Sequence, residues 1–130
     1  MYRMTDEEFE RVIAEALDSI PEQFLEVLEN VAVVAQDEPD DEHFDVLDDP
    51  ESLGGSVLGD ELLGLYDGIP LTERGEYYEN IPDVITIFKG PHERCFDTRE
   101  EVIDEVRKTV IHEIGHYFGL DDERLYEMGY

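Results

Sequence analysis

Phe9, Val12, Ile13, Ala16, Leu17 and Ile20 recur at intervals of three and four, the period of one buried stripe on an α-helix. Thr5 and Glu8 stand three apart just ahead of that stripe as a capping box, and Met4 and Phe9 flank them at the spacing of a hydrophobic staple. A helix over about residues 6–19 is predicted, closed by Pro21, whose ring disfavours helix at the residue before it. Pro21 can then open a short second helix with Phe24, Leu25 and Leu28 turned inward.

The pattern next changes to short β-branched runs. Val31-Ala32-Val33-Val34 reads as a buried strand, Leu62-Leu63-Gly64-Leu65-Tyr66 with the turn signal Asp67-Gly68 as a second strand, and Val84-Ile85-Thr86-Ile87-Phe88, before Lys89-Gly90-Pro91, as a third. Thr72 to Asn80 is polar and reads as loop. From Asp37 to Asp60 the chain is crowded with carboxylates and broken by Pro39, Pro50, Gly54 and Gly55, so a mobile acidic loop at about 37–60 is expected, as disorder in preference to a lid. Helical period returns after a second capping box, Thr98 and Glu101. Val102, Ile103, Val106, Val110, Ile114, Tyr117 and Phe118 carry the stripe to Gly119. No repeat or boundary divides the 130 residues, and one domain spanning 1–130 is expected.

Composition narrows the partners. Thirty-six acidic residues against nine Lys and Arg give a formal net charge of −27, which disfavours nucleic acid and anionic membrane surfaces, since both are held mainly by basic side chains. The acidity itself reads as solubility or adaptation to salt in preference to substrate steering. A lone Cys95 cannot form an internal disulfide, and the first residues turn acidic without a signal-peptide core. A soluble, cytoplasmic protein is the expectation.

The chemistry lies in residues 112–122, His-Glu-Ile-Gly-His-Tyr-Phe-Gly-Leu-Asp-Asp. Histidines four apart on a helix share a face, about one turn from each other, and both rings can reach one ion. Glu113 leaves the helix at a different angle, as suits a carboxylate that must touch the zinc-bound water instead of the zinc. Catalytic zinc needs a third protein ligand and one open position. Gly119 can stop the helix and turn the chain back, which favours Asp122 as that ligand, with Asp121 and Glu123 as rivals one residue away on either side. Defined positions of this kind arise by accident in roughly one chain in 10⁴–10⁵ of this length.

With its His-Glu-x-x-His-x-x-Gly-x-x-Asp pattern the segment resembles metzincin-like zincins in which aspartate replaces the third histidine. The whole chain is similar to the small bacterial zincin-like metallopeptidase family through Leu28-Glu29-Asn30-Val31, Leu62 to Tyr66, Ile85 to Pro91 and His112 to Tyr130. The resemblance implies an α+β fold of minimal zincin type: a small, mostly antiparallel or mixed sheet packed against the N-terminal helix and the motif helix. It also implies a Zn2+ cofactor and a peptide or protein substrate. Larger metzincins carry a C-terminal subdomain and a Met-turn well beyond the third ligand, whereas 8 residues follow Asp122 here, with Met128 the counterpart on offer.

The expectation is a zinc metallopeptidase of endopeptidase type with metal ligands His112, His116 and Asp122 and with Glu113 as general base. The third strand, ending near Lys89-Gly90, is expected to pair with an extended peptide along the cleft. Tyr126 and Tyr130 read as packing before oxyanion donors, His43 and His92 as surface residues, and Cys95 as a small buried apolar residue before a zinc ligand. The alternative is a catalytically silent zinc-binding structural or regulatory protein, which has no use for Glu113. A small zinc ribonuclease fits poorly, because that type has glycine and histidine where Glu113 and Asp122 stand.

Overall fold

The computed structural model describes residues 1–22, 31–48, 55–67, 83–117 and 122–127, with the backbone alone at 46–48, 67, 83, 116, 117, 122, 125 and 126. The first helix, α1 (Asp6–Asp18), begins where the capping box requires: Thr5 is its N-cap and Thr5 Oγ1 accepts from the Glu8 amide at 3.1 Å. Met4 and Phe9 are buried in the same cluster as Val12, Ile13, Ala16 and Ile20, so the staple and the stripe form together. The helix expected after Pro21, with Phe24, Leu25 and Leu28, lies outside the described residues, as does the loop at 72–80.

Four strands, β1 (Val31–Gln36), β2 (Gly55–Leu58), β3 (Glu61–Asp67) and β4 (Asp83–Phe88), form one mixed sheet in the order β1-β4-β3-β2. The fold is α+β. β4 runs parallel to β1 and antiparallel to β3, while β2 and β3 form an antiparallel hairpin. Val84 to Phe88 suits the middle of the sheet, since a continuous β-branched run can bury both faces. Ile85 and Ile87 face the helical cluster, and Phe88 joins Leu62 and Leu65 in a second cluster.

Three expectations are corrected here. β4 is the third predicted strand, and it is paired on both sides, so it has no free edge for a peptide; among the described residues the sheet's edges are β1 and β2. β1 is an edge strand and not a buried one: Val31 is buried while Val34 is 43% exposed, as period-two alternation on an edge demands. The acidic stretch 37–60 contains both a helix, α2 (Asp41–Asp48), and β2. Asp40 and His43 cap α2 reciprocally, the His43 amide donating to Asp40 Oδ1 and the Asp40 amide to His43 Nδ1. Carboxylates favour the positive end of a helix, so acidic composition here encodes a helix start and not only a solvated loop. α2 also touches β3, and His43 packs edge-on against Phe88 with ring centroids 4.9 Å apart.

A short helix, α3 (Lys89–Cys95), follows β4 directly; Pro91 is tolerated because it falls in the first helical turn. The long helix α4 (Arg99–Tyr117) is capped by Thr98, whose Oγ1 accepts from the Glu101 amide and donates to its carboxylate. Val102, Val106, Val110, Ile111 and Ile114 are fully buried against α1 and the sheet. Gly64 sets how near α4 comes to the sheet. A Cβ at Gly64 would stand 2.5 Å from Thr109 Cγ2, so only glycine accommodates this approach.

Candidate metal centre

His112, Glu113 and His116 all lie on α4, within its last two turns. Around residues 109–115 the helix is buried on nearly every side, with His112 alone, half-buried, opening toward the surface. Its neighbour Glu113 is fully buried, and Glu113 Oε1 accepts a hydrogen bond from Ser56 Oγ at 2.9 Å. Placing a carboxylate inside a core costs several kcal/mol unless it is hydrogen-bonded, so on stability alone an apolar residue would serve better here. Departures from core composition of this kind mark functional sites.

Ser56 was not singled out by the sequence, although a signal was present. Gly59-Asp60 between Val57-Leu58 and Leu62-Leu63 is a two-residue hairpin dipeptide, and Gly59 adopts φ 61° in the turn joining β2 to β3. Reading it would have placed a strand over residues 55–58. The hairpin register shifts between Ser56 and Val57, a bulge that sets Ser56 opposite Gly64 and beneath α4.

α4 is described as far as Tyr117, and a short helix, α5 (Asp122–Glu127), touches it. The side chains of His116, Asp122 and Tyr126 lie outside the description, as do residues 121, 128 and 130 entirely, whereas Glu123 is exposed. Among the described residues no group of three or more His, Cys, Asp or Glu could hold a metal ion.

The remaining candidates sort on geometry. His92 is not a surface residue: it is fully buried, its Nδ1 is 2.7 Å from the Phe88 carbonyl oxygen, and its ring lies between Phe9 and Phe96. Burial lowers its pKa to about 4, against a weaker opposing effect of the Phe88 carbonyl, so the ring is neutral near pH 7. Its Nε2 is buried with no hydrogen-bond partner among the described residues. His43 is half-buried in the α2 cap. Cys95 is half-buried, and burial pushes its thiol pKa up, with the Glu61 charge adding to the effect, which opposes the thiolate a zinc ligand requires.

The sequence profile of the zincin-like metallopeptidases matches residues 28–130, a span that includes the whole sheet and all of α4 and α5. The chain belongs to this family. In three dimensions this zincin-like chain is similar to a conserved hypothetical protein from Thermus thermophilus, with a TM-score of 0.53 and 21% identity over 95% of this chain and 99% of that one. That likeness concerns the fold. No curated protein matches the chain. Among the described residues of this zincin-like protein, no helix is long and apolar enough to cross a membrane.

Proposed function

We propose that the protein is a zinc-dependent peptidase of endopeptidase type, in which His112, His116 and Asp122 hold the metal and Glu113 is the general base. The observation that carries this reading is the contrast between neighbours on α4: His112 opens to the surface while the carboxylate beside it is fully buried and held by Ser56. The donor set suits zinc. Two imidazoles one turn apart on a continuous helix, with the carboxylate of Asp122 at the start of α5, would make three protein ligands and leave one position open. When bound, the ion supplies Lewis acidity toward a carbonyl oxygen and toward water.

The chain's own residues would do the rest. Glu113 takes a proton from the attacking water and delivers it to the leaving amine, and the packed surroundings of residues 109–115 keep bulk water from competing for that carboxylate. An aspartate ligand makes the site less positive than three neutral histidines would, so proton removal falls more heavily on Glu113. A peptide or protein is the substrate that family membership supports. The net charge of −27 opposes nucleic acid and anionic membranes as partners.

The test combines metal analysis with a single substitution. Purified protein is expected to carry about one zinc per chain, lost in His112→Ala and His116→Ala, while Glu113→Gln keeps the zinc and loses peptide hydrolysis. Unchanged zinc in the double histidine variant would move the site elsewhere. Zinc without hydrolysis of any member of a broad peptide library would make the protein a silent zinc binder.

A further inference from the structure

We propose that Ser56 is a positioning residue for Glu113, fixing the orientation of the carboxylate that serves as general base. The inference rests on that reading of Glu113, and its own support is geometric. On β2 the usual pattern is inverted: Val57 and Leu58 are 52% and 48% exposed, whereas the polar Ser56 is half-buried and turned to the helix. Packing alone does not favour a serine facing inward while the two apolar residues after it, Val57 and Leu58, are exposed.

The hairpin is built to deliver that hydroxyl. Its bulge sets Ser56 opposite Gly64, and Gly64 lets α4 approach until Ser56 Oγ stands 2.9 Å from Glu113 Oε1. Thr109, one turn before Glu113, turns its methyl toward Gly64, and among the described residues its buried hydroxyl has no hydrogen-bond partner. Of these two hydroxyls, Ser56 is the one that donates to the carboxylate. The terminal torsion of a glutamate is broad and roughly two-fold, so burial does not by itself fix the plane of the carboxylate. A donor on one oxygen does, and the direction of the other oxygen follows from it. The base would then be oriented from the edge strand of the sheet and not from its own helix.

The experiment uses the zinc-loaded full chain with carbon-13 in the glutamate carboxyls, the Glu113 signal being assigned by its loss in Glu113→Gln. A hydroxyl proton bonded to Oε1 gives that carbon a shift difference between H2O and D2O. The difference is expected in the parent and in Ser56→Thr, and is expected to shrink in Ser56→Ala with zinc content unchanged, the remainder coming from the water that Glu113 faces. In peptide hydrolysis Ser56→Ala is expected to lower kcat by about 10–100-fold, with KM held within about two-fold and Ser56→Thr restoring most of the loss, as for a misaligned but intact reacting group. A shift difference undiminished in Ser56→Ala overturns the proposal, as does one absent from the parent, an unchanged kcat, or an effect confined to KM. A parent that hydrolyses no peptide would sink the peptidase reading instead, and the carbon shift alone would then decide whether Ser56 holds the carboxylate.

Discussion

Replacing Gly64 with alanine should test how tightly the motif helix is seated on the sheet. The new Cβ would stand 2.5 Å from Thr109 Cγ2, 3.3 Å from the Thr86 carbonyl oxygen and 3.4 Å from Ile87 Cδ1. Carbon atoms pack best at about 3.5–4.0 Å, so the first contact is short by about 1 Å while the other two need only a few tenths. Thr109 cannot readily yield, because it is buried and its β-branched side chain is restricted on a helix. Relief requires α4 to lift or rotate, at about 1–3 kcal/mol for overpacking. Removing a strand glycine returns about 0.5–1 kcal/mol. The net expectation is a loss of about 1–2 kcal/mol, seen as a lower guanidinium midpoint at unchanged slope. Thr109→Ser deletes the offending methyl at a cost of about 1 kcal/mol, and in that background Gly64→Ala should become close to neutral. Strict additivity of the two substitutions would refute the claim that this one contact sets the helix position.

Other expectations follow from the same structure. Gly90→Ala should be nearly neutral, within about 0.5 kcal/mol by thermal unfolding, because the atoms its Cβ would meet are the Glu38 carboxylate, the flexible end of a half-exposed side chain paired with Arg94. A loss several times larger would show that the Glu38–Arg94 pair is fixed in place. His92 has a folded pKa of about 4 against about 6.5 unfolded, so the unfolded chain binds more protons between those values; the stability this contributes is complete above pH 6.5 and is lost as pH falls through 4. The difference corresponds to about 3 kcal/mol, and His92→Leu should flatten denaturation midpoints between pH 7 and pH 4 relative to the parent; parallel curves would contradict the burial argument. Asp122→Ala should weaken zinc affinity by more than the roughly 10–100-fold typical of residues behind the ligands, and far more than Asp121→Ala or Glu123→Ala, by competition with a chelator. A large loss at either neighbour instead would shift the ligand by one residue.

Much of the frame could be read from local signals, because the physics behind them is local. Thr5 with Glu8 and Thr98 with Glu101 announce their helices, since a hydroxyl three residues before an amide is already within reach of it. The runs at 62–66 and 84–88 became β3 and β4. The acidic stretch misled because its local chemistry is ambiguous: Asp40 to Glu42 suits a solvated loop and a helix start equally, and β2 is only four residues long. The Gly-Asp turn that resolves β2 carries its meaning only when both flanking segments are taken as strands.

For the candidate site, the sequence by itself determined the helix that carries His112, Glu113 and His116, because three-and-four spacing on a helix is fixed by the backbone geometry whatever surrounds it. It also determined the membership of the zincin-like family. Only the tertiary structure decided which strands are edges, that His92 is sealed between Phe9 and Phe96, and that the hydroxyl on Glu113 comes from Ser56, 57 residues earlier in the chain. Those facts depend on how strands order themselves and how closely a helix lies on a sheet. Both are set by contacts between residues far apart in sequence, and no local periodicity encodes them.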